Sequence, residues 1–311
     1  MNTYRVEDFT FGTELEIADV DTRIILPEGN SWDRKDYTIA NSCGVCNDPK
    51  KKITIFGGEI NTKPTKTVEE QTDNIIEIYK CLGVRKTVNH TCNLHIHVGV
   101  PNLSSDLTAL KRLAKYIFEN QEEAFLIVEE LIAPTIYDYD TEEEYLGARK
   151  RFNRRKVSHQ NKLSKRILDL LLVSNSTEEF YHSFAPKDKD GKFQWQTVTR
   201  CGINMLQLFN ETDTVEFRHF PMTFNPKEIE SSIEWCKLFM DAALNSGKKP
   251  NQILKENSWM TFPKFKKYDH NIHKIFELTT LGKLSRKEVE KNINDLLFKN
   301  IITKEDLYGK E

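Results

Sequence analysis

Three short stretches each pair chemically capable side chains two residues apart: Phe11-Gly-Thr-Glu14-Leu-Glu16-Ile17, Asn93-Leu-His95-Ile-His97-Val-Gly99 and Thr214-Val-Glu216-Phe-Arg218-His219-Phe220. In an extended strand, residues i and i+2 point to one face, roughly 6.5–7 Å apart. Each stretch would therefore project its pair together. A fourth, Phe56-Gly-Gly-Glu59-Ile-Asn-Thr-Lys-Pro64, adds a carboxylate beside two glycines that permit close backbone approach. Carboxylates joined by an imidazole suit a divalent cation. Hard oxygen ligands favour Mg²⁺ or Mn²⁺, and Mg²⁺ usually keeps several waters and is completed by substrate phosphates. An arginine on the same face adds a bidentate clamp for phosphate oxygens. The chemistry such a set favours is phosphoryl transfer.

A sheet with one dry and one wet face produces the same alternation. Leu15 and Ile17, Leu94, Ile96 and Val98, and Val215 and Phe217 would form the dry side, with Thr13 and His219 as exceptions. A merely wet face, however, would also draw on Lys, Ser, Thr and Gln. Here the facing set is Glu, Glu, His, His, Glu and Arg.

The elements that must position these residues follow from periodicity. Strand patterns cover Phe9–Ile17, Ile53–Asn61, Asn93–Val100, Gln194–Thr199, Asn204–Phe209 and Thr214–Phe220. Helical spacing covers Val68–Leu82, ending at Gly83, and Asp106–Leu131, with Pro134 just beyond. A third helix, Pro226–Asn245, follows an Asn-Pro start, and Ser285–Phe298 opens with a Ser285/Glu288 capping box. Strands separated by long helices without regular βα alternation argue for an α+β sheet protein.

Bulk properties agree with a soluble globular chain. Of its 311 residues 38% are apolar and 30% charged, and no run approaches the ~20 apolar residues needed to span a bilayer. The first residues lack the basic and apolar regions of a secretory signal, and six irregularly spaced cysteines fit a reducing compartment, so the expected location is the cytoplasm. The net charge of −2 is uneven: from Lys248 onward there are 14 Lys/Arg against 9 Asp/Glu, while the preceding part carries 31 against 38. Residues 1–247 would form the main domain and 248–311 a basic, mostly helical extension packed on it. The basic run Arg149–Lys156 suits ATP, a phosphate-bearing substrate, a nucleic acid or simply a solvated helix face. Its single aromatic, Phe152, is too little for a stacking platform, which weakens the nucleic-acid reading.

In that order, FGTELEI, GGEINTKP, CNLHIHVGVP and TVEFRHF, with Arg200 and Asn204 leading into the last block and Asn225-Pro226 after it, resemble the amidoligases. These are carboxylate–amine ligases with a glutamine-synthetase-like fold. The resemblance covers roughly residues 9–240. It implies a curved, mainly antiparallel sheet flanked by helices, and an ATP-dependent ligase that forms an amide through an acyl phosphate with two or three Mg²⁺ ions. Its substrates would be a small-molecule or peptide carboxylate and an amine. By resemblance, Glu14 and Glu16 would each serve a metal, Glu59 would join Glu16 at one ion, and His95 would join Glu14 and Glu216 at the other. His97 would contact ATP phosphate or substrate, Arg218 and Arg200 would stabilise the transferring phosphoryl group, and Asn204 would line the nucleotide site. One departure concerns the segment before the second block. It reads Asn41-Ser-Cys43-Gly-Val-Cys46-Asn-Asp48 where the family would place an acidic or Asp-Gly element.

Other readings remain beside this one. Cys43-x-x-Cys46 with Cys81 and Cys92 could hold zinc, although the second pair is spaced too widely for a usual structural site. A His-x-His strand also opens many metal-dependent hydrolases. That reading leaves the Glu14/Glu16 and Glu216/Arg218 pairs without a role and expects βα alternation. A catalytically inactive binding module is the third reading. His159, His182, His270 and His273 have no partner at a diagnostic spacing.

Overall fold

The computed structural model describes residues 4–20, 24–33, 56–83, 92–132, 161–184, 190, 201–209 and 212–262. Among these residues, β1 (Thr10–Val20), β2 (Ser31–Asp33), β3 (Phe56–Asn61), β4 (Asn93–Gly99), β5 (Ile203–Asn204) and β6 (Thr214–Pro221) form one sheet. Its order is β2-β3-β1-β4-β6-β5, and every pairing is antiparallel. The helices are α1 (Val68–Leu82), α2 (Leu107–Ile132), α3 (Lys165–Val173), α4 (Thr177–Phe184), α5 (Pro226–Asp241) and α6 (Pro250–Glu256). The fold is thus α+β, as expected, with an antiparallel sheet flanked by helices. The antiparallel pairing is not the βα alternation the hydrolase reading requires.

Local chemistry explains the element ends. Thr67 caps α1, accepting from the Glu70 amide at 3.1 Å while the Glu70 carboxylate accepts from the Thr67 amide at 3.2 Å, a reciprocal capping box. The helix stops at Gly83, whose φ of 58° favours glycine. Asn225 caps α5 by accepting from Lys227 N, and Pro226 occupies the first turn, where its missing N–H costs nothing. The helix expected through Asn245 leaves α geometry at Asp241 and finishes as a π-helical turn, Ala242–Ser246. Gly247 then closes that turn at a φ of 68°, its amide donating to Ala242 O.

Helices α1, α2 and α5 cover one face of the sheet. Between them lies the core: Phe11, Leu15 and Ile17 from β1, Leu94, Ile96 and Val98 from β4, and Val215 and Phe217 from β6 meet Ile75, Leu113, Ile117, Ile233 and Phe239. Every residue of β4 is buried, which befits a central strand covered on both faces. Beyond residue 247, α6 packs against α2 and α5, and Ile253, Met260 and Phe262 join the same core.

Further sequence-based assignments change. Asn204–Phe209 is not one strand: only Ile203–Asn204 pairs, and Leu206–Phe209 is a 3-10 turn. The cause is the Asn204 side chain, whose Oδ1 accepts from the Leu206 amide at 3.1 Å, an Asx turn that competes with the ladder. Helices α3, α4 and α6 went unassigned because segments of seven to nine residues give too little periodicity. The expected strand Gln194–Thr199 and helix Ser285–Phe298 lie outside the described residues, as do Arg200, Cys43, Cys46, the run 149–156, His159, His270 and His273.

Candidate metal and phosphate site

Register decides which side chains share the face opposite the helices. Directly opposed residues of an antiparallel pair lie on one face with Cβ atoms about 4.5–5.5 Å apart. Glu14 opposes His95, His97 opposes both Gly12 and Glu216, and Glu216 opposes Asn204. A parallel row sets Glu16 against Glu59, and Glu59 against Asp33. The three charged pairs of the sequence therefore converge, with Gly12 leaving space beside His97, where an added Cβ would come no closer than 3.9 Å.

His219 goes to the other side. Pairing shifts by one residue between Leu94/Phe220 and Ile96/Phe217, so Arg218 and His219 together face His95. His219 keeps the dry-side place that alternation from Phe217 gives it, and the irregularity brings Phe220 to the same side, opposite Leu94. Its fully buried ring lies 4.3 Å from Phe220 and 5.3 Å from Phe125, within the core.

At the centre of the polar face His95 touches three carboxylates. Its Nδ1 is 2.7 Å from Glu14 Oε2 and 3.5 Å from Glu216 Oε1, and its Nε2 is 3.7 Å from Glu16 Oε1. His97 Nε2 lies 3.0 Å from Glu14 Oε1, while its Nδ1 lies 2.8 Å from Thr214 Oγ1. Glu16 is held differently, accepting from both the backbone and side-chain nitrogens of Asn93 at 2.6 Å. Glu216 accepts from Asn204 Nδ2 at 2.8 Å and Gln207 Nε2 at 3.3 Å and pairs with Arg218. The Asx turn that ends β5 is what carries Gln207 back to that carboxylate.

The electrostatics are those of charges buried against one another. Burial by itself would raise the Glu14 carboxyl, but hydrogen bonds from His95 and His97 and their charge hold it well below the usual range. Glu216 is likewise pushed up by burial and brought below the ordinary value by Arg218 first and then by the two histidines. His97 moves the other way: burial lowers it, and the contacts with Glu14 and Glu216 more than reverse this and raise it.

One oxygen each from Glu14 and Glu216 and one nitrogen from His97 lie within 4.8 Å of one another, close enough to share a cation. The donor set, two carboxylates and an imidazole, fits Mg²⁺ or Mn²⁺. His95, implied by resemblance as the ligand beside Glu14 and Glu216, touches the same two carboxylates, while His97 supplies the nitrogen of the compact triad. Asn93, Thr214, Gln207 and Asp33 were not singled out from the sequence. Asn93 and Thr214 stand two residues from His95 and Glu216 on the same face, so the period-two pattern pointed at them, but neutral polar residues carry no signal there.

The described cysteines form no disulfide, and no described helix is long and apolar enough to cross a membrane. No curated protein and no solved structure matches the chain. Residues 20–240 do match a family, so β6, with Glu216 and Arg218, lies inside the matched region and Glu14 and Glu16 precede it. The match spans more than half the chain, which therefore belongs to the family described as "putative amidoligase enzyme".

Proposed function

We propose that the protein is an ATP-dependent ligase that joins a carboxylate to an amine through an acyl phosphate, acting in the cytoplasm on small-molecule or peptide substrates. The observation that carries this reading is the convergence of Glu14, His97 and Glu216 within 4.8 Å, beside Arg218, on the buried polar face of the sheet.

A carboxylate resists attack by an amine because an oxide would have to leave. Transfer of the γ-phosphoryl group to a carboxylate oxygen, with ADP departing, supplies phosphate as the leaving group. The amine nitrogen then adds to the carbonyl, phosphate leaves with its electron pair, and a proton is lost from nitrogen. Glu14, His97 and Glu216 would hold one divalent cation, with His95 braced against them, and Glu16 with Glu59 would hold a second. Such cations supply neutralisation of the phosphate charge. Arg218 is suited to the phosphoryl oxygens: Glu216 fixes one end of its guanidinium, and its buried Nε has no hydrogen-bond partner among the described residues, a donor left for an anionic oxygen. Arg200 would assist, and His97 and Asn204 would border the nucleotide.

Incubating the protein with ATP, Mg²⁺ and pools of amino acids or polyamines should give ADP, phosphate and a new amide in equal amounts. Release of AMP, or hydrolysis that requires Zn²⁺ and no ATP, would overturn the reading.

A further inference from the structure

Four hydrogen bonds run in series from a backbone carbonyl to the Glu14 carboxylate. Thr212 Oγ1 lies 3.2 Å from Gln207 O, Thr214 Oγ1 lies 3.4 Å from Thr212 Oγ1, His97 Nδ1 lies 2.8 Å from Thr214 Oγ1, and His97 Nε2 lies 3.0 Å from Glu14 Oε1. The chemistry of the first member sets the direction of the next two. A carbonyl oxygen can only accept, so Thr212 spends its one hydroxyl proton on Gln207 and can offer Thr214 only a lone pair. Thr214 must then donate toward Thr212, which leaves its oxygen to accept from the ring. Nδ1 of His97 is thereby committed to carrying a proton, and Nε2, which faces Glu14, is the nitrogen left to bind a cation.

We propose that Thr214, oriented through Thr212 by the Gln207 carbonyl, is a positioning residue that fixes His97 as the Nδ1–H tautomer and so presents Nε2 to a cation held with Glu14 and Glu216. The inference rests on the cation reading of that cluster given above. Two further features support a built arrangement. Asp213, between the two threonines, sits at a φ of 46°, so the chain turns there in a way that leaves both hydroxyls within reach of each other. Gln207 also serves both ends, because its carbonyl anchors the threonines while its side-chain amide donates to Glu216 Oε2. One residue thus orients two members of the triad by different atoms. This is how the outer partner of a metal-binding histidine commonly acts, by fixing ring orientation and tautomer.

The test uses the full chain and Mn²⁺ alone as probe. Thr214→Val removes the acceptor while keeping the shape, and Thr214→Ser keeps the hydroxyl. Mn²⁺ affinity, read from the electron paramagnetic resonance of free ion, should fall about 10–100-fold in Thr214→Val and stay within about twofold of the parent in Thr214→Ser. Nitrogen-15 spectra of the Mg²⁺-saturated parent should show His97 with its proton on Nδ1, a measurement that needs no variant to fold. Parent-like Mn²⁺ affinity in Thr214→Val, or a parent His97 with a bare Nδ1, would overturn the proposal. A parent chain that binds no Mn²⁺ removes this inference together with the cation reading. Tight Mn²⁺ binding lost in Thr214→Val, in a protein that makes no amide, supports the positioning role and sinks only the ligase reading.

Discussion

The two faces of the sheet are made by the same strands and differ in how polarity is neutralised. On the helical side Thr13 and Gln71 are buried and uncharged, and the hydroxyls of Thr62 and Thr65 complete their hydrogen bonds. Across the sheet, Glu14, Glu16 and Glu216 are set against His95, His97 and Arg218. His97 and His219 make the contrast within one residue type. Each is buried, His219 among the rings of Phe125, Phe217 and Phe220 and His97 between two carboxylates. Burial alone does not mark a site; buried charges facing one another at hydrogen-bond distance do.

The sharpest way to break this contrast is to remove charge from one face and volume from the other. Glu14→Gln should reduce turnover about 10³-fold or more, the effect of losing several kcal/mol of phosphoryl-charge stabilisation with the cation. The chain should still fold, because a glutamine amide can donate to or accept from the ring nitrogens of His95 and His97 that meet Glu14. Initial rates of ADP release and far-ultraviolet circular dichroism check the two halves. On the dry side, Phe239→Ala removes a fully buried ring that meets Phe217 at 5.7 Å and Tyr116 at 5.1 Å. It should cost about 3–5 kcal/mol in denaturant unfolding while leaving the rate per folded molecule intact. Equal damage to rate and stability in both variants would erase the distinction.

How far the sequence exposes this division depends on the residue. Strands β1, β4 and β6 were legible because alternation is a local property, and α1 because its apolar spacing and Gly83 agree. Glu14, Glu16, His95, His97, Glu216 and Arg218 were legible as a set because each pair sits on such a strand. Their partners were less so. That Gln207 reaches Glu216 depends on an Asx turn at Asn204, and that Phe220 joins the dry face beside His219 depends on a register shift against β4. Both are relations between strands, which no single stretch encodes. Likewise, which nitrogen of His97 must carry a proton follows from Thr212 and Thr214, whose roles exist only once the turn at Asp213 is formed.

A smaller effect tests the Asx turn itself. Asn204→Asp keeps the oxygen that accepts from Leu206 N but turns a donor to Glu216 into a second carboxylate facing it. Stability should fall by about 1–3 kcal/mol, the cost of replacing a buried hydrogen bond by two acceptors that face each other. Added Mn²⁺ should restore more stability to this variant than to the parent, because a cation relieves like-charge repulsion. A thermal midpoint equally insensitive to Mn²⁺ in both would separate Asn204 from the cation site.

The smallest expected effect turns the comparison into one of pH. Gln71→Leu should cost about 1–3 kcal/mol by stranding the Thr13 and Thr62 hydroxyls, which lie 3.3 and 2.6 Å from its amide. None of these groups titrates, so the loss should be the same from pH 5 to pH 9. The pair on the other face should behave differently in the metal-free chain. Glu14 has a depressed carboxyl, so its contribution is present above the ordinary carboxylate value of 4.5 and is lost as pH falls through the folded value. His97 has a raised imidazole, so its contribution is present below 6.5 and is lost as pH rises through the folded value. Both contributions are complete only between 4.5 and 6.5, and there Glu14→Gln should destabilise the metal-free chain most. Unfolding curves for the two variants across that range decide the matter: a flat profile for Glu14→Gln would mean that the imidazoles do not carry the charge that holds the carboxylate, and the polar face would then be no more electrostatic than the network around Gln71.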